Sequence, residues 1–124
     1  MLLALGAACS DDAGDLAAFC DAVGDRERFE AVFEGLDPED VEAARSSFER
    51  ARAEQRKLRD LAPDAARADV DVVLSFVDDL LAGLEPDAPV DEQGRPSIYQ
   101  SMRPRFDEVE AAGDRLRVYV ESNC

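Results

Sequence analysis

Three cysteines and an excess of carboxylates are the side chains in this sequence that could do chemistry. The thiols are Cys9, Cys20 and Cys124, spread over a chain of 124 residues. Histidine is absent, so the commonest general base and the commonest metal ligand are both missing. Widely separated thiols without histidine make a poor zinc site. We therefore expect no metal and no cofactor, and the thiols need another explanation.

Neighbouring carboxylates could act as a general acid and a general base if two of them shared a cleft that separates their pKa values. Most pairs here fall on the polar sides of predicted helices or in loops, where solvated surface is the usual outcome. They are Asp11/Asp12, Glu39/Asp40, Asp69/Asp71, Asp78/Asp79 and Asp91/Glu92. No serine has a Gly-x-Ser-x-Gly setting, and no glycine-rich phosphate loop is present. The sequence therefore favours a protein that is not an enzyme and has no catalytic residue.

The charge balance excludes several kinds of partner. Acidic residues number 29 against 14 basic ones, which gives a formal net charge of −15. A chain of that sign repels phosphate backbones and anionic lipid head groups, so we expect no nucleic-acid partner. No run approaches the roughly 20 apolar residues that a transmembrane helix needs. Any attachment to a membrane must therefore be hydrophobic or covalent.

Cys9 follows the short apolar run of residues 1–8 and precedes the acidic "SDD". The stretch "LGAAC" that ends at Cys9 resembles the lipobox of bacterial lipoproteins. That resemblance implies that Cys9 carries a diacylglycerol and that a signal peptidase cuts just before it. Residues 1–8 would then be a signal-peptide remnant and residues 9–14 an acidic tether. The protein would be exported and anchored by this lipid to the outer face of the cell membrane.

Two features differ from the usual pattern. Gly6 stands where leucine is commonest, and no Lys or Arg precedes the apolar run as in a secretory signal. A start codon upstream of Met1 would explain the missing charge, and the alternative is an ordinary apolar N-terminus with a spare thiol. Lys57 is the single lysine, and Ala and Asp are abundant. The chain thus resembles a small secreted lipoprotein of high-GC (actinobacterial-type) bacteria, which implies location and shape but no activity.

Apolar residues recur at helical spacing in four stretches of the remaining chain. The first carries Leu16, Phe19, Val23, Phe29, Val32, Phe33 and Leu36; the second Val41, Ala44, Phe48, Ala51, Gln55, Leu58 and Ala62; the third Val70, Val73, Leu74, Val77, Leu80, Leu81 and Leu84; the fourth Tyr99, Met102, Phe106, Val109, Gly113, Leu116 and Val120. Asp37 predicts the cap of the second helix, and Pro63 separates the second from the third. Pro104 should kink the fourth helix or mark its true start, and Gly113 should let a neighbouring helix come close.

Short turns between the first three helices make them antiparallel neighbours. Residues 15–124 are therefore predicted to form an all-α, antiparallel up-down-up-down four-helix bundle, with the very apolar third helix at its centre. Export would expose the two remaining thiols to an oxidising compartment. In this topology Cys20 and Cys124 lie at the same pole of the bundle, so a disulfide between them is within reach.

Two functions remain open. The first is a non-enzymatic binding or interaction module, anchored to the envelope, which presents its outer pole or a helix face to another envelope protein. The second is an extracytoplasmic carrier that holds a small apolar ligand inside the bundle, because the Ala-rich second helix fills space poorly. An apolar cavity between helices two and four would favour the carrier. An exposed apolar patch of several hundred Å² would favour the interaction module.

Overall fold

The computed structural model describes residues 16–23 and 40–124, and this part of the chain is all-α, as the sequence predicts. Its helices are α1 (16–23), α2 (Val41–Leu61), α3 (Asp64–Gly83), α4 (Ile98–Ser101) and α5 (Phe106–Asn123). Within these ranges no strand forms, and the only β-like feature is an isolated bridge between Val90 and Pro96. The predicted lipobox with Cys9, the predicted tether of residues 9–14 and the second half of the predicted first helix lie outside the described residues.

α2 begins three residues later than the sequence signal predicts. The structure caps this helix at Asp40 rather than at Asp37, because the helical backbone starts at Val41. The Asp40 carboxylate accepts a hydrogen bond of 3.1 Å from the Ala43 N–H, which is the usual way of satisfying a free donor in the first turn. The helix ends before Pro63, which has no N–H to continue it and which then precedes α3.

α3 is the central helix, as its hydrophobicity predicts, since α2 and α5 both pack along it. Surface ion pairs fix the register on each side. Towards α2 they are Arg52–Asp78 at 4.0 Å and Arg59–Asp71 at 2.6 Å; towards α5 they are Arg115–Asp69 at 2.8 Å and Arg105–Asp79. In both cases the partners occur in reversed order along the two helices. Such exposed pairs contribute about 0–1 kcal/mol each, so they specify alignment more than they stabilise it.

The core is divided into two clusters. One contains the first half of α2, the second half of α3 and Met102: Ala44, Phe48, Ala51, Phe76, Val77, Leu80, Leu81, Leu84 and Met102. The other lies near the opposite ends of α2 and α3 and contains Phe19, Ala62, Ala66 and Val70, with Leu116, Tyr119 and Val120 of α5 packed against it. α3 contributes to both clusters and is the element that joins them.

The predicted fourth helix is interrupted near its start. The chain forms the single turn α4, then a 3-10 turn at Arg103–Arg105, and becomes α-helical again at Phe106. Pro104 therefore marks the true start of α5, because it cannot donate a backbone hydrogen bond. Before α4, the loop after Leu84 folds on itself at Asp91, whose Oδ1 accepts hydrogen bonds from the Gln93 and Arg95 N–H groups, both at 2.9 Å.

Candidate functional site

An apolar groove lies between α2 and α5, with α3 beneath it. It encloses a cavity of about 540 Å³, which falls in the range of roughly 300–1,000 Å³ typical of small-molecule sites. α3 supplies the floor with Val70, Val73 and Phe76. The walls and ends are formed by Phe19 and Val23 of α1, Leu58 of α2, and Phe106, Val109, Leu116 and Val120 of α5. We call this feature the α2–α5 groove.

The groove lies where the inward stripe of each wall helix lacks a large apolar side chain. α2 carries Gln55 at that point, and α5 carries Gly113. The sequence predicted that Gly113 would allow close helix packing. Among the described residues, a Cβ added at Gly113 would meet no atom within 4 Å, so no described helix packs closely against this glycine.

Gln55 is the polar residue of the groove that needs a partner. It is only 4% exposed, and its Oε1 is buried with no hydrogen-bond donor among residues 16–23 and 40–124. A buried acceptor in this state costs about 1–3 kcal/mol relative to one that is satisfied. Sequence reasoning placed Gln55 on the inward stripe but assigned it no role. The signal in the sequence was that Gln55 is the one amide on a helix stripe whose other members are Val, Ala, Phe and Leu.

The rim of the groove is charged, with Glu54 and Lys57 on α2 and Glu110, Asp114 and Arg117 on α5. Arg117 lies 3.4 Å from Asp114 and is also paired with a second acid one turn later on its own helix. Within the described part of the chain, Glu54, Lys57 and Glu110 have no ion-pair partner. The rim thus holds two uncompensated carboxylates and one uncompensated ammonium.

The disulfide predicted from the helix order is present, and it joins α1 to the C-terminal residue after α5. Cys20 and Cys124 have an S–S distance of 2.01 Å and a Cα–Cα distance of 5.7 Å. The bond fixes α1 against the end of α5, and this places the fully buried Phe19 in the groove. The Phe19 ring meets Tyr119 edge-on with centroids 6.1 Å apart, so this tyrosine is a packing residue.

Among residues 16–23 and 40–124, the carboxylate pairs of the sequence do not line the groove. Asp69, Asp71, Asp78 and Asp79 each face an arginine of a neighbouring helix. Asp91 serves the turn described above, where the Arg95 N–H lowers the pKa of its carboxyl and the Gln93 N–H adds to this, against the opposing effect of desolvation. These positions support folding contacts and turns rather than acid–base chemistry.

Among residues 16–23 and 40–124, no group of three or more Cys, Asp or Glu side chains is arranged to hold a metal ion. In the same ranges, no helix combines the length and apolar character required to cross a bilayer. No protein-family model, curated protein or solved structure matches the chain.

Proposed function

We propose that this protein is an extracytoplasmic, non-enzymatic carrier that binds a small apolar ligand in the α2–α5 groove. The observation that carries the proposal is the groove itself, a cavity of about 540 Å³ with apolar walls and few polar groups. Binding sites for small molecules are usually of this kind, because most of the affinity comes from burying apolar surface.

The position of the groove favours the carrier over the interaction module. An apolar cavity between the second and fourth helical stretches was the feature expected of a carrier, and these stretches correspond to α2 and α5. By contrast, the large apolar side chains exposed in the described part are Val90, Phe106 and Val118. Phe106 and Val118 lie twelve residues apart on α5, about 18 Å along the axis. Phe106 belongs to the groove wall, while Val90 and Val118 lie outside the lining, so these three side chains do not make a separate docking surface of several hundred Å² in the described part of the chain.

The proposal includes the location and the complete fold. We place the protein on the outer face of the cell membrane, attached by lipid at Cys9. The domain of residues 15–124 would be an antiparallel up-down-up-down four-helix bundle. The reversed order of the ion pairs on both sides of α3 and the Cys20–Cys124 disulfide support that topology. The lipid anchor would then lie at the same pole as the disulfide.

Ligand binding is tested with the neutral fluorescent probe N-phenyl-1-naphthylamine and the full oxidised chain carrying Cys9→Ser. We expect saturable binding of one probe per chain. Gly113→Leu should fill the groove and weaken binding at least tenfold without loss of stability, since the added side chain enters open space. Ala111→Leu places the same side chain outside the groove lining and should change binding less than twofold. Absence of saturable binding by the parent chain, or equal loss in both variants, would refute the proposal.

The location is tested by intact-mass analysis of the membrane fraction. A lipid adduct on Cys9 and the loss of two hydrogens from the other thiols are the expected results. An unmodified chain recovered in the soluble fraction would contradict the lipid anchor.

A further inference from the structure

We infer that the Cys20–Cys124 disulfide controls how tightly the α2–α5 groove holds its ligand, and that reduction of this bond by a dithiol weakens binding. This inference rests on the proposed function, because it requires an apolar ligand in the groove. Three features of the described residues carry it: the position of the bond, the attachment of α1, and the share of the lining that α1 provides.

The disulfide connects two close neighbours of the groove lining. Phe19 directly precedes Cys20, is fully buried and lines the groove. On the other side, the Cys124 N–H donates a hydrogen bond of 2.8 Å to the Val120 carbonyl oxygen, so Cys124 continues the last turn of α5. Val120 also lines the groove. The bond therefore joins the part of the lining on α1 to the part on α5.

α1 depends on this bond more than the other helices do. α2 and α5 are each tied to α3 by the two ion pairs given above. Within residues 16–23 and 40–124, no ion pair and no side-chain hydrogen bond connects α1 to another helix. Breaking the disulfide therefore leaves α1 with the apolar packing of Phe19 and Val23 as its contact to the other described helices.

A ligand in the groove needs α1 in place. Phe19, Ala22 and Val23 belong to the lining, so a ligand contacts them only while α1 packs against α5. Reduction lowers the fraction of molecules with α1 in this position, and the apparent Kd rises by the inverse of that fraction. We expect about a tenfold loss of affinity, within the roughly 5–150-fold range of couplings between two sites. The coupling is reciprocal, so a bound ligand makes the disulfide harder to reduce by the same factor.

The disulfide is open to thiol–disulfide exchange. Cys124 is exposed and Cys20 is half-buried, so a dithiol can reach the bond. One thiolate of the dithiol attacks a sulfur of the bond and forms a mixed disulfide, which the second thiolate then displaces. Two electrons and two protons pass from the dithiol to the protein, which gains two thiols while the reductant becomes a disulfide.

Two measurements on the full chain carrying Cys9→Ser test the inference, with N-phenyl-1-naphthylamine as the ligand. The Kd of this probe should be about tenfold higher for the chain reduced with dithiothreitol than for the oxidised chain. In mixtures of reduced and oxidised dithiothreitol, probe at a concentration that saturates both states should lower the midpoint potential of the disulfide by about 30 mV, which is a tenfold change for a two-electron couple.

The outcomes separate this inference from the proposed function. If the oxidised chain binds the probe but the Kd is the same in the two redox states, or the probe leaves the midpoint potential unchanged, the inference fails and the proposed function stands. If the oxidised chain does not bind the probe, the proposed function fails.

Matched variants assign the effect to the bond and to α1. Cys20→Ser/Cys124→Ser in the Cys9→Ser chain should bind the probe as the reduced chain does, with or without dithiothreitol. Phe19→Ala keeps the disulfide and should reduce the redox difference in Kd to less than threefold. Phe106→Ala removes a ring that lines the groove at the start of α5, away from the disulfide, so it should weaken binding equally in both states and keep the tenfold difference. Equal redox differences in the two alanine variants would show that α1 does not carry the coupling, and would overturn the inference.

Discussion

The two helical glycines of the described region should respond in opposite directions to the same substitution. Gly113 lies inside α5 and faces open space, so an added Cβ meets no described atom. Gly83 ends α3, and a Cβ there would overlap the side chain of Ile98 at the start of α4. Comparing the two substitutions therefore tests whether the space beside Gly113 on α5 is empty.

The magnitudes follow from propensity and packing. Gly113→Ala should raise the free energy of unfolding by about 0.8–1.0 kcal/mol, because alanine restricts the unfolded chain and costs nothing in the folded helix. That gain corresponds to about 3–5 °C in Tm for a chain of this size. Gly83→Ala should lower the free energy of unfolding by about 1–3 kcal/mol, as overpacking forces Ile98 or the backbone to move.

Urea unfolding followed by circular dichroism at 222 nm measures both changes, with the parent m-value as the check that the transition is unchanged. The decisive quantity is the difference between the two variants, about 2–4 kcal/mol when the two effects above are combined. A Gly113→Ala variant less stable than the parent would show that another group occupies the space beside Gly113. The reasoning behind the groove would then be wrong.

Three other changes probe the fold itself. Cys20→Ser should lower the free energy of unfolding by up to about 4.7 kcal/mol in the chain-entropy model, since the disulfide closes a sequence separation of 104 residues; urea unfolding measures the loss. Phe48→Ala removes a ring that is 1% exposed and should cost about 3–5 kcal/mol by the same assay. The hydrogen bond from the Arg95 N–H is the main reason that the pKa of the Asp91 carboxyl lies below its ordinary value of 3.8. The ionised carboxylate therefore stabilises the fold at pH values above the unfolded pKa, and this contribution is lost as the pH falls through the folded pKa. An NMR titration of Asp91 should give a midpoint below 3.8.

Each of these has a control. Cys124→Ser should match the first variant, and dithiothreitol should have no further effect on either. Glu49→Ala, an exposed neighbour on α2, should stay within about 0.5 kcal/mol of the parent. In Asp91→Asn the free energy of unfolding should depend less on pH in the acidic range than it does in the parent. A titration midpoint of Asp91 in the parent at or above 3.8 would contradict the assigned hydrogen bonds.

In the described part of the chain, periodicity was sufficient to predict which stretches are helical but not how much of each helix is buried. The stripe on α3 that includes Val70, Val77 and Leu80 is buried as predicted. Leu74 belongs to the predicted stripe and is only half-buried, whereas Phe76, which is not part of that stripe, is 2% exposed. The reason is that α3 packs against helices on two sides, which widens its buried surface beyond one stripe.

The groove could not be read from the sequence with the same certainty. Its width depends on how far apart α3 holds its two neighbours, which is a property of the packed assembly and not of any one helix. Gly113 illustrates the point, since glycine on an inward stripe is compatible with close packing and with empty space. The burial of Gln55 was likewise undetermined, because an amide at the edge of a stripe can turn outward to solvent. The disulfide was predictable because it depends only on helix order.

The division of the core into two clusters has a consequence for local opening. The cluster around Phe19 is held by the covalent link, the cluster around Phe48 contains neither cysteine of that link, and α3 is the shared support. Under reducing conditions the amides at the Tyr119 end of α5 should therefore exchange with deuterium sooner, while those in the first half of α2 keep their protection. The two clusters would then open as separate cooperative units with different opening free energies.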